Sequence, residues 1–229
     1  LFIQYVKEHL ILTFYTTSKE VGGDLYDFYM DDNHLYFLIG DVSGKGVPAS
    51  LFMAINRRLF RTLSQHVLSP AKIVTEMNNS ISDNNESNMF VTLIVGILDL
   101  ETGILKLCNA GHNPPILIYP DGQVSYLEFK TQIFVGVVED FKYSDEEVVL
   151  EKESKLFLYT DGVTEAENIN KELYGEEKLL EMLSDNASSD VRTTVNVVVD
   201  SIASHVKEAE ASDDLTILLI QYEPGTANS

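Results

Sequence analysis

Short apolar runs bounded by turn residues dominate the first half of the chain and return near its end. Their content of Leu, Ile, Val, Phe and Tyr is typical of β-strands. The polar turn Asp31-Asp32-Asn33 predicts a hairpin between the runs on either side of it. The predicted strands are His9–Thr17, Leu25–Met30, His34–Val42, Phe90–Leu100, Gly103–Asn109, Ile116–Tyr119, Val124–Phe129, Glu147–Leu150, Lys155–Thr160 and Leu215–Tyr222.

Other segments have the spacing of amphipathic helices. Pro48 suits the first turn of one helix, whose apolar residues recur at every fourth position: Leu51, Ile55, Leu59 and Leu63. The predicted helices are Val47–Leu63, Pro70–Ile81, Gly175–Leu183 and Ser189–Val206. Because antiparallel meanders alternate with separate blocks of helices, we expect an α+β layered sandwich rather than a doubly wound parallel sheet. No linker-like stretch divides the sequence, so residues 1–229 are predicted to form one domain, with 223–229 as a disordered tail.

The charge balance is strongly acidic, with 16 Lys and Arg against 36 Asp and Glu and a net charge of −20. Nucleic acids and anionic membranes require a basic face, so neither is expected as a partner. Cys108 is the only cysteine, which excludes an intrachain disulfide and indicates a reducing, cytoplasmic compartment. It lies in a strand-like run and is predicted to be a core residue. No run approaches the roughly 18–20 apolar residues that span a bilayer.

Acidic residues stand beside several of the predicted strands. Asp24, Asp41, Asp161 and the Asp213–Asp214 pair each close or follow a strand-like run. Two carboxylates ~4 Å apart repel by roughly 4 kcal/mol at an effective dielectric constant near 20. A hard divalent cation reverses the sign of that energy, and Mg²⁺ or Mn²⁺ prefers oxygen ligands. Taken singly, each position is more typical of a turn, but the four sites together favour a metal centre.

Neighbouring glycines support close approach of the backbone to a ligand at these positions. They are Gly22, Gly23, Gly44, Gly46 and Gly162. A phosphate-binding loop is excluded in GDVSGKGVPAS (40–50), since Lys45 stands where the GxxxxGK[ST] pattern requires glycine. The five histidines are scattered and form no zinc motif.

Two further groups have a structural and a functional interpretation. His112, between Gly111 and Pro114, is predicted to be a turn residue hydrogen-bonded to the backbone, with no catalytic role. Arg57, Arg58 and Arg61 are predicted to form a solvated helix face, and docking of an acidic partner is the alternative.

Six segments of the chain carry a resemblance to a known family. In order, they are KEVGGDLYDFY (19–29), IGDVSGKGVPASLFMA (39–54), NAGHNPPILI (109–118), LYTDGVTEAEN (158–168), LYGEEKLLEML (173–183) and SDDLTILLI (212–220). The chain resembles the bacterial protein phosphatase 2C-type family of sporulation protein E and the stress-response sigma-factor regulators. This resemblance implies a four-layer αββα sandwich, with two mainly antiparallel sheets flanked by helices.

The same resemblance implies an activity and a metal centre. The activity is hydrolysis of phosphoserine or phosphothreonine on a protein, by direct attack of a hydroxide that bridges two Mn²⁺ or Mg²⁺ ions. By position, Asp41 resembles the bridging carboxylate, Val42 would offer its carbonyl, and Asp24 resembles a ligand of one ion, directly or through water. Asp41 and Asp24 are therefore also the expected catalytic residues.

The second half of the chain supplies the remaining expected ligands. Asp161 and Asp213 resemble ligands of the other ion. Asp213 is favoured over Asp214 because the family's ligand matches the first Asp of the DDLT segment. The choice between the two stays open at this point.

The sequence departs from the family pattern at two positions. Ser43 stands where eukaryotic relatives place a general-acid histidine, so the proton for the leaving alkoxide must come from metal-bound water or another group. Lys19 stands where the family has a phosphate-binding arginine. A lysine can attract a phosphate through its charge, but it cannot form the two parallel hydrogen bonds that an arginine guanidinium donates. These departures motivate the alternative hypothesis of a weak or inactive pseudophosphatase that acts as a protein-binding module. A two-metal nuclease is disfavoured by the net charge.

The resemblance also implies partners. The expected substrate is a phosphorylated anti-anti-sigma-type protein, and an upstream sensor or regulatory region is expected in the parent protein. The domain is expected to be cytoplasmic and to make no membrane contact itself, and the cytoplasmic domain of a membrane-anchored sensor is the alternative.

Overall fold

The computed structural model describes residues 2–7, 10–17, 23–83, 88–207, 209 and 213–223. Their strands are β1 (Phe2–Lys7), β2 (Leu10–Thr17), β3 (Asp24–Asp31), β4 (His34–Val42), β5 (Val91–Asp99), β6 (Ile104–Ala110), β7 (Ile116–Ile118), β8 (Val124–Tyr126), β9 (Glu146–Val149), β10 (Lys155–Tyr159) and β11 (Leu215–Tyr222). Their α-helices are α1 (Val47–Leu63), α2 (Pro70–Ser82), α3 (Glu176–Asp185) and α4 (Val191–Val206). A 3₁₀ turn covers Asp161–Val163.

The chain divides into two compact units. One comprises Leu1–Lys19, Pro115–Leu127 and Leu150–Ser229, and the other comprises Glu20–Pro114 and Glu128–Val149. We call them the six-stranded unit and the five-stranded unit after their sheets. The single domain over 1–229 stays a prediction, and its predicted tail lies outside the described residues except for Glu223.

Each unit contains one antiparallel sheet. The five-stranded unit has the strand order β3-β4-β5-β6-β9, and the six-stranded unit has the order β1-β2-β11-β10-β7-β8. The predicted hairpin of β3 and β4 is present, with Asp31 opposite His34. The predicted α+β class with antiparallel strands is therefore confirmed.

Both sheets pack against helices through apolar side chains. In the five-stranded unit, Phe60 of α1 and Met77 of α2 join a core with Leu38 and Val95 of the sheet. In the six-stranded unit, the cluster combines residues of α3 and α4 with Phe157 and Leu219. Full burial of one such side chain contributes about 1.5–3 kcal/mol. Cys108 is buried in the first of these cores, as predicted.

Side-chain caps mark the starts of helices α2 and α4. Ser69 precedes Pro70 and its hydroxyl accepts a hydrogen bond from the Lys72 amide at 3.3 Å. Asp190 caps α4, and its Oδ1 accepts from the amides of Arg192 and Thr193, both at 3.0 Å. Such caps satisfy amides that have no partner inside the helix.

Apart from ends that shift by one residue, the strands differ from prediction at two places. Strand β1, which pairs with β2, was not predicted, although its sequence FIQYVK is rich in residues that favour strands. The predicted strand Val124–Phe129 ends at Tyr126, and the Leu127 amide instead donates to the Pro115 carbonyl at 2.8 Å.

Helix α1 has its predicted bounds but a different buried face. Leu51 and Ile55 are 62% and 53% exposed, whereas Ala49, Asn56 and Phe60 are buried. The four-residue spacing therefore predicted the helix correctly but marked its contact face only in the second half, where Leu59 and Leu63 pack against the core. No helix in the described part of the chain is long and apolar enough to cross a membrane.

The solvated arginine face predicted on α1 is wrong for Arg61, whereas Arg57 remains exposed although it lies near the same carboxylate. Asp27 of β3 is buried, with its side chain 3% exposed, and accepts from Arg61 Nε at 2.5 Å and Nη2 at 2.6 Å. Arg61 also donates to the Phe28 carbonyl at 2.8 Å, and Arg57 Nε lies 3.3 Å from Asp27. A buried carboxylate requires such partners, so this ion pair attaches α1 to the edge strand of its sheet.

Candidate metal centre

Asp24 and Asp41 are direct neighbours across the β3–β4 ladder. Asp24 is the first residue of β3 and Asp41 is the last but one of β4. The expectation that each Asp closes or follows a strand is thus wrong for Asp24. Because the strands are antiparallel, the start of β3 lies beside the end of β4, so the two carboxylates still share one sheet edge.

Oxygen atoms converge beside Gly23, immediately before this pair. A Cβ placed on Gly23 would lie 3.1 Å from Asp41 Oδ1, 3.2 Å from the Val42 carbonyl oxygen and 3.6 Å from the Gly44 carbonyl oxygen. The Gly23 carbonyl meanwhile accepts from the Val42 amide at 3.2 Å, which fixes this approach. A carboxylate oxygen and main-chain carbonyl oxygens grouped beside one backbone position are donors of the type that a hard divalent cation prefers. The residues present here therefore fit a Mg²⁺ or Mn²⁺ ligand set.

The six-stranded unit brings Asp161 beside the start of β11. The Thr160 amide donates to the Thr216 carbonyl at 3.1 Å, and the Thr216 amide donates to Thr160 Oγ1 at 3.1 Å. Gly162 makes the closest approach, since a Cβ on it would lie 1.8 Å from the Asp214 carbonyl oxygen. Only glycine allows this backbone contact.

Asp213 and Asp214 precede β11, so the expected strand-end position is wrong for them as well. The Asp213 side chain is exposed, and its Oδ1 accepts from the Asp214 amide at 2.9 Å. The preference for Asp213 over Asp214 as a ligand stays a prediction.

Glu165 is a fourth acidic residue of this region and was not among the predicted ligands. Its amide donates to the Asp161 carbonyl at 2.7 Å, which places it one turn after Asp161. Partial desolvation and the negative charges of Asp161 and Asp213 raise the pKa of the Glu165 carboxyl. The i+4 spacing in DGVTE was the available signal. This electrostatic repulsion is the kind that a bound cation removes.

The predicted ligands thus occur as one pair in each unit. Among the described residues, no three His, Cys, Asp or Glu side chains form a group able to hold a metal ion. Mg²⁺ keeps several water ligands and uses one or two carboxylates, so a pair with a carbonyl is chemically sufficient. The predicted phosphate ligand Lys19 lies outside the described residues.

Ser43 and Phe90 form two hydrogen bonds beside the Asp41 end of the β4–β5 ladder. The Ser43 amide donates to the Phe90 carbonyl at 2.9 Å, and Ser43 Oγ accepts from the Phe90 amide at 2.8 Å. Ser43 therefore extends the β4–β5 ladder by side-chain and main-chain hydrogen bonds.

His112 is buried beside the same strands. Its ring Nδ1 lies 3.0 Å from Thr92 Oγ1, and Thr92 is the ladder partner of Asp41. The Asn109 side chain accepts from the His112 amide at 2.8 Å and donates to its carbonyl at 3.0 Å. The predicted turn is present, but the ring contacts a side-chain hydroxyl rather than the backbone, and that hydroxyl belongs to the strand next to Asp41.

Comparison with curated proteins gives relatives at low identity. Protein IcfG of Synechocystis is 27% identical over 89% of this chain and 36% of that protein. Phosphoserine phosphatase RsbU of Bacillus subtilis is 26% identical over 89% of this chain and 60% of that protein. The chain therefore spans between about one third and three fifths of the length of these relatives.

Solved structures share the fold. The RsbU and RsbW domains of a Mycobacterium tuberculosis protein match with a TM-score of 0.81 and 23% identity, over 96% of this chain and 62% of that one. The catalytic domain of the serine/threonine phosphatase PstP, solved with two manganese ions, matches with a TM-score of 0.65 and 14% identity, over 93% of this chain and 99% of that one. At these identities the matches establish the fold alone, which is that of protein phosphatase 2C-type domains.

A family model gives the broadest assignment. The model described as Stage II sporulation protein E matches residues 31–223, which include the Asp41, Asp161 and Asp213 positions. The chain belongs to the Stage II sporulation protein E (SpoIIE) family.

Proposed function

We propose that this chain is a divalent-metal-dependent phosphatase that removes phosphate from phosphoserine or phosphothreonine in a protein. The observation that carries the proposal is the convergence of Asp41 Oδ1 and the Val42 and Gly44 carbonyl oxygens on one point beside Gly23. The similarity to a phosphoserine phosphatase and to a manganese-containing phosphatase domain supports it.

The proposed ligand sets are Asp24, Asp41 and the Val42 carbonyl in the five-stranded unit, and Asp161 and Asp213 in the six-stranded unit. Two bound Mg²⁺ or Mn²⁺ ions would supply an activated water and offset the negative charge of the phosphoryl group. Asp41 and Asp24, which lie opposite each other on β4 and β3, would hold a cation at the edge of the five-stranded sheet. Lys19 is proposed to bind the substrate phosphate as a point charge.

Ser43 is not assigned the proton-transfer role of the histidine found in eukaryotic relatives. Its Oγ accepts the Phe90 amide at 2.8 Å, and a serine hydroxyl is a weak acid. The leaving-group proton is therefore proposed to come from solvent at the metal centre.

The proposed substrate is a phosphorylated regulator of the anti-anti-sigma type, which is the class that the family resemblance implies. Control by a regulatory region of the parent protein, and a cytoplasmic location of this domain, are part of the same proposal.

Phosphate release from p-nitrophenyl phosphate, measured with and without Mn²⁺, tests the proposed activity. We expect Mn²⁺-dependent hydrolysis that falls at least about a hundredfold in Asp41→Asn, because the charge holding the metal is removed. Asp185→Asn is the matched control, since Asp185 is an exposed residue at the end of α3. Equal activity in Asp41→Asn and the wild type would refute the proposal.

Isothermal titration calorimetry with Mn²⁺ separates the phosphatase from the non-catalytic binding module. Metal binding that is lost in both Asp41→Asn and Asp161→Asn supports the two ligand sets. A folded wild-type protein that neither binds Mn²⁺ nor hydrolyses the phosphate ester would favour the pseudophosphatase.

A further inference from the structure

In the five-stranded unit, the loop of residues 134–138 is held firmly through its main chain. Buried Asn78 of α2 donates through Nδ2 to the Val138 carbonyl at 2.8 Å and accepts through Oδ1 from the Gly136 amide at 2.9 Å. The main chain of Val135 is bound to β5: its amide donates to the Val91 carbonyl at 3.0 Å, and its carbonyl accepts from the Val91 amide at 3.1 Å. Three main-chain positions of a five-residue loop are thus fixed by β5 and α2.

This fixed loop presents apolar side chains to solvent. Phe134, Val137 and Val138 are 38%, 50% and 41% exposed, while Val135 between them is fully buried. Contiguous exposed apolar side chains on a soluble protein mark interaction sites more often than chance. A firm loop also loses little conformational entropy when a ligand binds it.

The exposed residues are continuous with the Asp41 end of the sheet. Phe134 stacks on Phe90, with ring centroids 5.2 Å apart and planes 19° apart. It also covers Gly111, where a Cβ would lie 1.9 Å from the Phe134 ring. Phe90 in turn exchanges hydrogen bonds with Ser43, two residues after Asp41. We call Phe90, Phe134, Val137 and Val138 the apolar platform.

Charges at the far end of the platform restrict what can bind there. The loop continues into Glu139 and Asp140, and both are exposed. These acidic residues, in a chain of net charge −20, disfavour an anionic membrane and an acidic polypeptide. The complementary ligand is a polypeptide with an apolar side chain and a basic residue beyond it.

We propose that the apolar platform binds the segment of the substrate protein that flanks its phosphoserine or phosphothreonine. An apolar side chain of that segment packs on Phe134, Val137 and Val138, and a basic side chain beyond it meets Glu139 and Asp140. This proposal rests on the phosphatase function proposed above, since it assumes that the phosphoryl group lies at the Asp41 end of the platform.

Two phosphoserine peptides of equal length test the platform. One carries Leu and Ile beside the phosphoserine with Lys beyond them, and the other carries Ser and Gly in place of Leu and Ile. We expect the wild type to bind and hydrolyse the first peptide better. In the double variant Val137→Ser/Val138→Ser, we expect about a tenfold loss of kcat/KM and a tenfold rise in Kd for that peptide, the scale of losing two partly buried methyl contacts.

Hydrolysis of p-nitrophenyl phosphate is the internal control, because this ester has no flanking segment. It should change by less than about twofold in the double variant if the metal centre is intact. Val149→Ser is the matched control variant, since Val149 is 63% exposed on β9 in the same unit. This substitution should leave kcat/KM and Kd unchanged for both peptides.

The proposal would be refuted if the double variant bound the two peptides with wild-type Kd values. It would also be refuted if Val149→Ser weakened peptide binding as much as the double variant does. Dimerisation of the wild type that is lost in the double variant would also refute it, because a second copy would then be the ligand. Peptide Kd values, measured by fluorescence anisotropy on Asp41→Asn, do not require turnover. A wild type inactive on p-nitrophenyl phosphate would therefore refute the phosphatase proposal alone, and the Kd values would still decide on the platform.

Discussion

Replacing Arg61 with Ala should destabilise the five-stranded unit more than any other single truncation on the exposed side of α1. The change removes both hydrogen bonds to the Asp27 carboxylate and the bond to the Phe28 carbonyl. It also removes the guanidinium from its position over the Tyr29 ring, 4.6 Å from the centroid. Asp27 is then left buried with two weaker partners, which are the exposed Arg57 and the Phe28 amide that donates to its Oδ1 at 2.9 Å.

The expected cost follows from the burial of Asp27. Breaking a buried ion pair by removing one partner costs roughly 3–5 kcal/mol, because the remaining charge is uncompensated. Arg57 lies 3.3 Å from Asp27 and partly neutralises it, which places Arg61→Ala near the lower end, about 3 kcal/mol. Arg57 itself is 55% exposed, so Arg57→Ala should cost less than about 1 kcal/mol.

Urea unfolding followed by far-ultraviolet circular dichroism measures the two costs at low and high salt. The effect of Arg61→Ala should persist at high salt, since a buried pair is screened less than an exposed one. The double variant Asp27→Asn/Arg61→Met should lose less stability than the sum of its single variants, because the buried charge is gone. Equal costs for Arg61→Ala and Arg57→Ala would refute the reasoning.

Three further substitutions have defined outcomes. Gly162→Ala forces a methyl group against the Asp214 carbonyl and should lower the thermal midpoint, at a cost of about 1–3 kcal/mol, together with Mn²⁺ affinity by calorimetry; an unchanged midpoint would contradict the close approach. Gly23→Ala places a methyl carbon 3.1 Å from Asp41 Oδ1 and should weaken Mn²⁺ binding with little change in midpoint; unaltered Mn²⁺ affinity would contradict the oxygen convergence. Asp190→Ala should cost about 1 kcal/mol at neutral pH, and Asp190→Asn less, because the N-cap of α4 is lost. Hydrogen bonds from Thr193 and Arg192 lower the pKa of Asp190, so its contribution is complete above the usual carboxyl pKa and disappears as the pH falls through the lowered value; a difference between wild type and Asp190→Ala that persists in acid would count against this.

The secondary structure could be predicted from the sequence where a proline or a polar turn marked the start or end of an element. Pro48 and Pro70 in first turns and the Asp31-Asp32-Asn33 turn gave helix and hairpin positions close to the observed ones. Strand β1 has no such turn or proline beside it and was missed, although its sequence FIQYVK favours a strand. Local patterns can predict an element, whereas the pairing of β1 with β2 is known only from the structure.

The candidate site shows the same division. The acidic residues and their glycines were visible in the sequence, and Asp24 and Asp41 are indeed ladder neighbours. The partners of Asp27 and of the His112 ring were not visible, because Arg61 and Thr92 lie 34 and 20 residues away along the chain. A charge on a helix face looks solvated until the strand beneath it is known.

The way Asn78 holds the loop has an evolutionary consequence. The two hydrogen bonds of its side-chain amide join it to main-chain atoms, the Gly136 amide and the Val138 carbonyl, so they do not depend on the identity of side chains 137 and 138. Substitutions at these two exposed positions can accumulate without loosening the loop. Descendants of one ancestral domain can thereby diverge in which proteins they recognise while inheriting the same carboxylates and the same core.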